Sequence, residues 1–166
     1  MKSKKQKTVF FINVIIYILT LFTLNCTIRK NEVGSIMKLS GKVSDNVLIA
    51  TILIGSLVTV FILVVILVLA RFLLQLVFKL AYKGNKDKSF LNESYFVPLS
   101  IKIFLLIVLQ IIMASGFIVK SVWISLLALT GYVIYIFVFK IKSDIEKNNK
   151  DMVFQIITGA LLIFAL

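Results

Sequence analysis

Residues 47–69 form one apolar run without a single charged side chain. About 20 such residues, rising about 1.5 Å each, cross the roughly 30 Å hydrocarbon core of a bilayer. In lipid no water is at hand to bond the peptide groups, so a run of this kind must satisfy them internally, as a helix. The rest of the chain has to be compatible with that demand.

It is. Further apolar runs lie at about 8–24, 98–118, 122–139 and 152–166, and 60% of the 166 residues are hydrophobic, with a mean hydropathy of +1.06. One proline leaves long helices uninterrupted. The expectation is an all-α, polytopic integral membrane protein: a single membrane domain over 1–166 with five transmembrane helices. The count falls to four if the first run is cleaved or the last is re-entrant. Lys2, Lys4, Lys5 and Lys7 before a short apolar run also describe a signal peptide, and residues 23–26 outline a lipoprotein box. However, Thr23 stands where leucine is usual and Asn25 where a small residue is expected. A retained first span is therefore the expectation. The run 152–166 would rise only about 22 Å. It crosses by local thinning of the bilayer, by drawing Asn148 and Asn149 into the interface, or it dips in and returns.

Beyond residue 69 the second run changes character. Arg71, Gln75, Lys79 and Lys83 recur every fourth residue and share a helical face, with Leu73, Leu74, Val77, Phe78 and Leu80 across from them. Residues 70–83 are read either as an amphipathic basic extension lying in the membrane interface or as the end of one long tilted helix whose lysines snorkel to water. Residues 84–97 read as a turn and polar connector, with Pro98 in the first turn of the next helix, where its missing N–H costs nothing. The link between 98–118 and 122–139 is so short that these two spans must be antiparallel neighbours.

The formal charge is +12, with 19 basic and 7 acidic residues. The lysines sit at the ends of apolar runs, where they hold helices at the headgroup surface and attract anionic lipid, so nucleic acid is not the expected partner. With the N-terminus inside, fourteen basic residues fall on the inner side, Lys102 among them, and five on the outer. The positive-inside rule then places the N-terminus inside and the C-terminus outside. Abundant lysine, isoleucine and asparagine suggest an AT-rich genome, hence a bacterial cytoplasmic membrane.

The chemistry on offer is sparse. No histidine is present, which removes the commonest ligand for zinc and haem and the usual base for a nucleophilic serine. Cys26 is the only cysteine, so no intramolecular disulfide forms. Glu32, Asp45, Asp87, Glu93, Asp144, Glu146 and Asp151 all fall in expected loops or span ends, leaving no embedded carboxylate for an ion-coupled carrier. The reading is non-enzymatic, with no catalytic residue, cofactor or metal. Among intramembrane polar residues Gln110 and Gln155 are the sharpest, since an amide in hydrocarbon needs a partner. They line a polar path or, the plainer use, bond neighbouring helices. Thr51, Gly55 and Thr59 make a flat seam for internal helix packing or for a second copy. Tyr132 and Tyr135 suit an aromatic belt.

Leu73, Leu74, Phe78 and Leu80, then Gly84, Ser89, Phe90, Tyr95 and Pro98, followed by Trp123, Gly131 and the polar segment from Lys140, come in an order that resembles the Yip1 family of small five-span membrane proteins. The likeness covers about residues 60–166. It implies five spans with the N-terminus inside. Eukaryotic members act in vesicle trafficking and contact small GTPases; their Asp-Leu-Tyr-Gly-Pro-like motif is absent here, and the paired glycines frequent in the connector reduce to Gly84. The expected function is a scaffold or accessory subunit acting through helix and lipid interactions. Its partners would be anionic lipid, faced by Arg71, Gln75, Lys79 and Lys83, and a membrane protein or second copy. The alternatives are a small-solute or lipid transporter subunit, with a path near Gln110 and Gln155, and an immunity protein against a membrane-active peptide.

Overall fold

The computed structural model describes residues 2–26, 45–83, 87–114, 120–141 and 149–166, which form five helices and no strand. These are α1 (Lys2–Leu24), α2 (Asp45–Tyr82), α3 (Lys88–Ala114), α4 (Ser121–Ile141) and α5 (Asn149–Ala165). Among the described residues four helices, α1 to α4, are long and apolar enough to cross a membrane. The 17 residues of α5 make it shorter. The readings for the polar loop after Cys26, the turn at Gly84 and the charged segment 142–148 lie outside the described residues.

The central element is α3, which packs on all four other helices. Its buried residues run from Leu91 through Ser94, Tyr95, Phe96, Val97, Pro98 and Leu99 to Lys102, Ile103 and Ile107. The helix begins ten residues before Pro98, so the proline sits inside it and not in its first turn. An interior proline forfeits one backbone bond and costs about 3 kcal/mol. Complete burial of the flanking turn between α1, α4 and α5 outweighs that cost. The backbone carbonyl of Asp87 accepts the Phe90 N–H at 3.1 Å and starts the first turn.

α1 lies along α3. Phe10 is buried, its ring 5.2 Å from that of Phe96 and 6.0 Å from that of Tyr95. Farther along, the Asn13 side-chain amide donates to the Ser100 carbonyl at 3.3 Å. Past Leu24 the chain widens into a π-type turn, and Asn25 donates to Ser56 Oγ of α2 at 2.9 Å. α4 runs antiparallel to α3: Tyr135 meets Glu93 at one end, while Ser125 meets Lys102 farther along. α5 closes on α4 where the Tyr132 ring packs directly against Gly159.

α2 is one continuous helix of 38 residues, about 57 Å at 1.5 Å per residue. It touches the others along a single seam of Leu48, Ile52, Ser56, Leu63, Leu67, Leu74 and Phe78, while Ile54, Leu57, Phe61, Val68 and Leu80 are exposed. Tyr95 O–H donates to the Leu67 carbonyl at 2.6 Å and fixes the seam's height. α2 stops at Lys83, whose N–H bonds the Lys79 carbonyl at 2.9 Å and whose φ of 48° is left-handed. That is the single-bond αL ending, made here by a residue other than glycine.

Candidate functional site

Polar side chains gather at the end of the bundle where α1, α3 and α5 begin and α2 and α4 finish. Gln6 of α1 donates to Tyr135 Oη of α4 at 3.5 Å, and Tyr135 donates to Glu93 of α3 at 3.2 Å. Tyr82 at the end of α2 donates to Asp151 of α5 at 2.9 Å, and Lys150 Nζ donates to the Ala81 carbonyl at 2.8 Å while lying 5.2 Å from the Tyr82 ring. The rings of Phe78, Tyr82, Phe90 and Phe154 pack beneath these bonds, with centroids 5.1 to 6.3 Å apart. Bond and ring together pin α5 to α2 and α3.

Beside this cluster, between α1, α2 and α3, a groove of about 610 Å³ is lined by Phe10, Phe11, Val14, Val64, Leu67, Val68, Phe72, Tyr95 and Phe96, with Lys7, Arg71, Gln75 and Asn92 as its polar members. Arg71 is half-buried. Its Nη2 donates to Asn92 Oδ1, and its guanidinium carbon lies 4.9 Å from the Tyr95 ring and 5.4 Å from the Phe96 ring. Its Nη1 is buried and meets no acceptor. The plane of the guanidinium is therefore set by three neighbours, with the Nη1 amino group left over. Lys7 is exposed, 5.8 Å from the Phe11 ring. None of the lining residues is a carboxylate.

The fourfold series from Arg71 to Lys83 is split by this geometry. Four residues advance a helix by about 400°, so each step drifts about 40° around the axis and three steps drift about 120°. Arg71 consequently falls on the packed seam with Leu67, Leu74 and Phe78, Gln75 lies on the rim of the groove, and Lys79 and Lys83 point away, exposed. The arginine expected on a lipid- or partner-facing surface is turned toward α3.

Gln110 and Gln155 are not brought together. Gln155 follows Phe154, which packs on Phe90, whereas Gln110 lies 20 residues beyond Phe90 on α3, about 30 Å of helical rise. Gln155 is buried, with the Thr158 hydroxyl 3.3 Å from its backbone carbonyl; Gln110 Oε1 is buried and accepts from no donor. Thr51, Gly55 and Thr59 are all exposed. Each threonine hydroxyl turns back to its own helix at 2.9 Å, and a methyl placed on Gly55 would meet nothing within 4 Å. Among the described residues, internal packing does not use that seam. The small residue that does the expected work is Gly159, where a Cβ would stand 2.0 Å from a Tyr132 ring atom.

Lys102 was not among the embedded residues expected from the sequence. It is 2% exposed, fourteen residues into α3, and donates to Ser125 Oγ, which in turn donates to the Ser121 carbonyl at 3.4 Å. Placing a span at Pro98 puts Lys102 one turn from the interface; with α3 starting at Lys88 it falls mid-helix. Without it, thirteen basic residues still stand against five in the orientation count. A second groove, of about 590 Å³, runs between α2 and α5 and is walled by Leu73, Leu74, Val77, Phe154, Ile157 and Leu161. Its one hydroxyl, Thr158, is bonded to the Phe154 carbonyl at 2.7 Å. No protein-family model, no curated protein and no solved structure matches this chain.

Proposed function

We propose that this chain is a non-enzymatic scaffold or accessory subunit of a bacterial cytoplasmic membrane, acting through lipid and helix contacts. It has five spans, with the N-terminus inside and the C-terminus outside. The observation that carries this reading is the surface of α2, which buries one seam and exposes Leu53, Ile54, Leu57, Phe61 and Val68 on its other sides. Contiguous apolar surface of that extent has acyl chains or another apolar helix as its natural neighbour. The order of features shared with the Yip1 family supports the span count. The dense packing of α1 on α3 supports retention of the first span, since cleavage after Asn25 would strip Tyr95 and Phe96 of their Phe10 contact.

The test is photo-crosslinking in native membranes from a probe at Leu57, which is exposed, with Leu63, which is buried, as the control position. A discrete protein adduct or a homo-oligomer is expected from Leu57 and none from Leu63. A chain that stays monomeric and cross-links to lipid alone overturns the scaffold reading.

A second reading, a subunit of a small-solute carrier, is favoured by Lys102. An ionisable residue inside a membrane helix is costly and marks pathways in many transporters. Flux in proteoliposomes that disappears in Lys102→Met would establish it; flux unchanged by that substitution removes it.

A further inference from the structure

We propose that the groove between α1, α2 and α3 is a seat for one anionic phospholipid, its phosphate held between Arg71 and Lys7 and an acyl chain lying down the wall of Phe10, Val14, Val64 and Val68. Three observations converge. The first is an unused donor: Arg71 Nη2 is taken by Asn92, and the Tyr95 and Phe96 rings steady the guanidinium, but Nη1 is buried with no acceptor. A buried donor without a partner carries a penalty of about 1–3 kcal/mol that an incoming phosphate oxygen would remove. The second is charge: two cations line the groove and no carboxylate does. The third is shape. About 610 Å³ is within the range of about 300–1,000 Å³ typical of sites that enclose an organic ligand, and far more than an inorganic anion needs.

A lipid fits better than an acidic protein segment because the walls are apolar and open to the acyl phase. Phe11, Val64, Val68 and Phe72 are all exposed. The cations are at the polar end of the bundle, beside the Gln6–Tyr135–Glu93 bonds, where headgroups lie if that end is at the membrane surface. This site differs from the general attraction of lysines to an anionic leaflet, because Lys79, on the same helix, and Lys83, just past its end, are exposed and take no part in it.

The inference rests on the membrane reading and not on a protein partner. The full chain, delipidated in neutral detergent, is titrated with phosphatidylglycerol, phosphatidylcholine or inorganic phosphate and read by native mass spectrometry. Phosphatidylglycerol is expected to bind about tenfold or more tightly than phosphatidylcholine, whose phosphate offers the same oxygens but whose choline adds a further positive charge beside Lys7 and Arg71, with no carboxylate in the groove to receive it. Arg71→Gln with Lys7→Gln should erase the preference. Val68→Trp, which leaves both cations in place and fills the chain wall at an exposed position, should weaken phosphatidylglycerol binding by a similar factor. Lys79→Gln with Lys83→Gln should leave the preference intact. Equal binding of the two lipids, an equal loss in the Lys79 and Lys83 variant, undiminished binding in Val68→Trp, or displacement by phosphate at lipid-like concentrations would each overturn the proposal. A missing Leu57 cross-link with lipid selectivity intact sinks the scaffold reading alone, and the converse result sinks this one alone.

Discussion

Gly159 and Gly55 are both glycines inside apolar helices, yet their surroundings assign them opposite roles. A methyl on Gly159 would stand 2.0 Å from the Tyr132 ring, which is itself 1% exposed and has no room to retreat. Gly159→Ala should destabilise the bundle by about 2 kcal/mol, the overpacking cost outweighing the better helix propensity of alanine. Gly55→Ala meets nothing and should be neutral or stabilising by up to about 1 kcal/mol. Thermal unfolding in detergent measures both. Lys102 poses the reverse problem, a buried polar group that, among the described residues, donates to Ser125. Ser125→Ala should cost about 1–3 kcal/mol, because it strands a buried ammonium. Lys102→Met should be neutral or stabilising, since the thioether needs no partner and the burial of a charge is relieved. If Lys102→Met is the more harmful of the two, the lysine is bonded more richly than the Ser125 contact accounts for.

The helices differ in what holds them. α1 and α3 lie against each other, with Phe10 packed on Tyr95 and Phe96 and Asn13 bonded to the Ser100 carbonyl, whereas α5 is tied to α2 chiefly at its start, through Tyr82 to Asp151 and Lys150 to the Ala81 carbonyl. Tyr82→Phe keeps the ring contacts with Phe78, Phe90 and Phe154 and removes the hydrogen bond to a carboxylate, so it should cost about 1.5–3 kcal/mol. Hydrogen exchange should then rise in the first turns of α5 and not in α1; equal rises in both helices would mean the bond supports the whole bundle. The start of α3 shows why such ties escape a reading of the chain by hydropathy. Asn92, Glu93 and Ser94 look like loop in sequence, yet Asn92 accepts from Arg71, Glu93 accepts from Tyr135, and Ser94 donates to the Phe90 carbonyl at 2.9 Å. Two of these partners are on other helices, at separations of 21 and 42 residues. A polar residue is polar in sequence whether or not a distant side chain neutralises it. The same blindness hid the groove, since Lys7 and Arg71 are separated by the whole first span and loop. The split of the Arg71 series was within reach, because a four-residue repeat drifts on a helix of 3.6.

For the molecule entire, hydropathy was enough to read an all-α chain with long apolar helices, since that property sums over local runs and needs no knowledge of pairing. The antiparallel pairing of α3 and α4 was equally accessible, from a link too short for any other arrangement. What orients such a bundle is a further summed property, the charge at its ends. Lys4, Lys5 and Lys7 on α1, Lys79 on α2, Lys83 just past its end, and Lys88 on α3 are all exposed at the polar end, where Glu93 and Asp151 are engaged by tyrosines. At the opposite end Lys120 is the exposed cation among the described residues that adjoins α4. Holding the lysine-rich end in the cytoplasm keeps these charges from being translocated, which is the physical content of the positive-inside rule. Cys26 must first be replaced by serine so that a single thiol reports. Lys120→Cys should then react with a membrane-impermeant maleimide in intact cells, and Lys79→Cys should react only after the membrane is opened. The opposite pattern would invert the bundle and place the Arg71 groove in the outer leaflet, where the anionic lipid proposed for it would have to be sought.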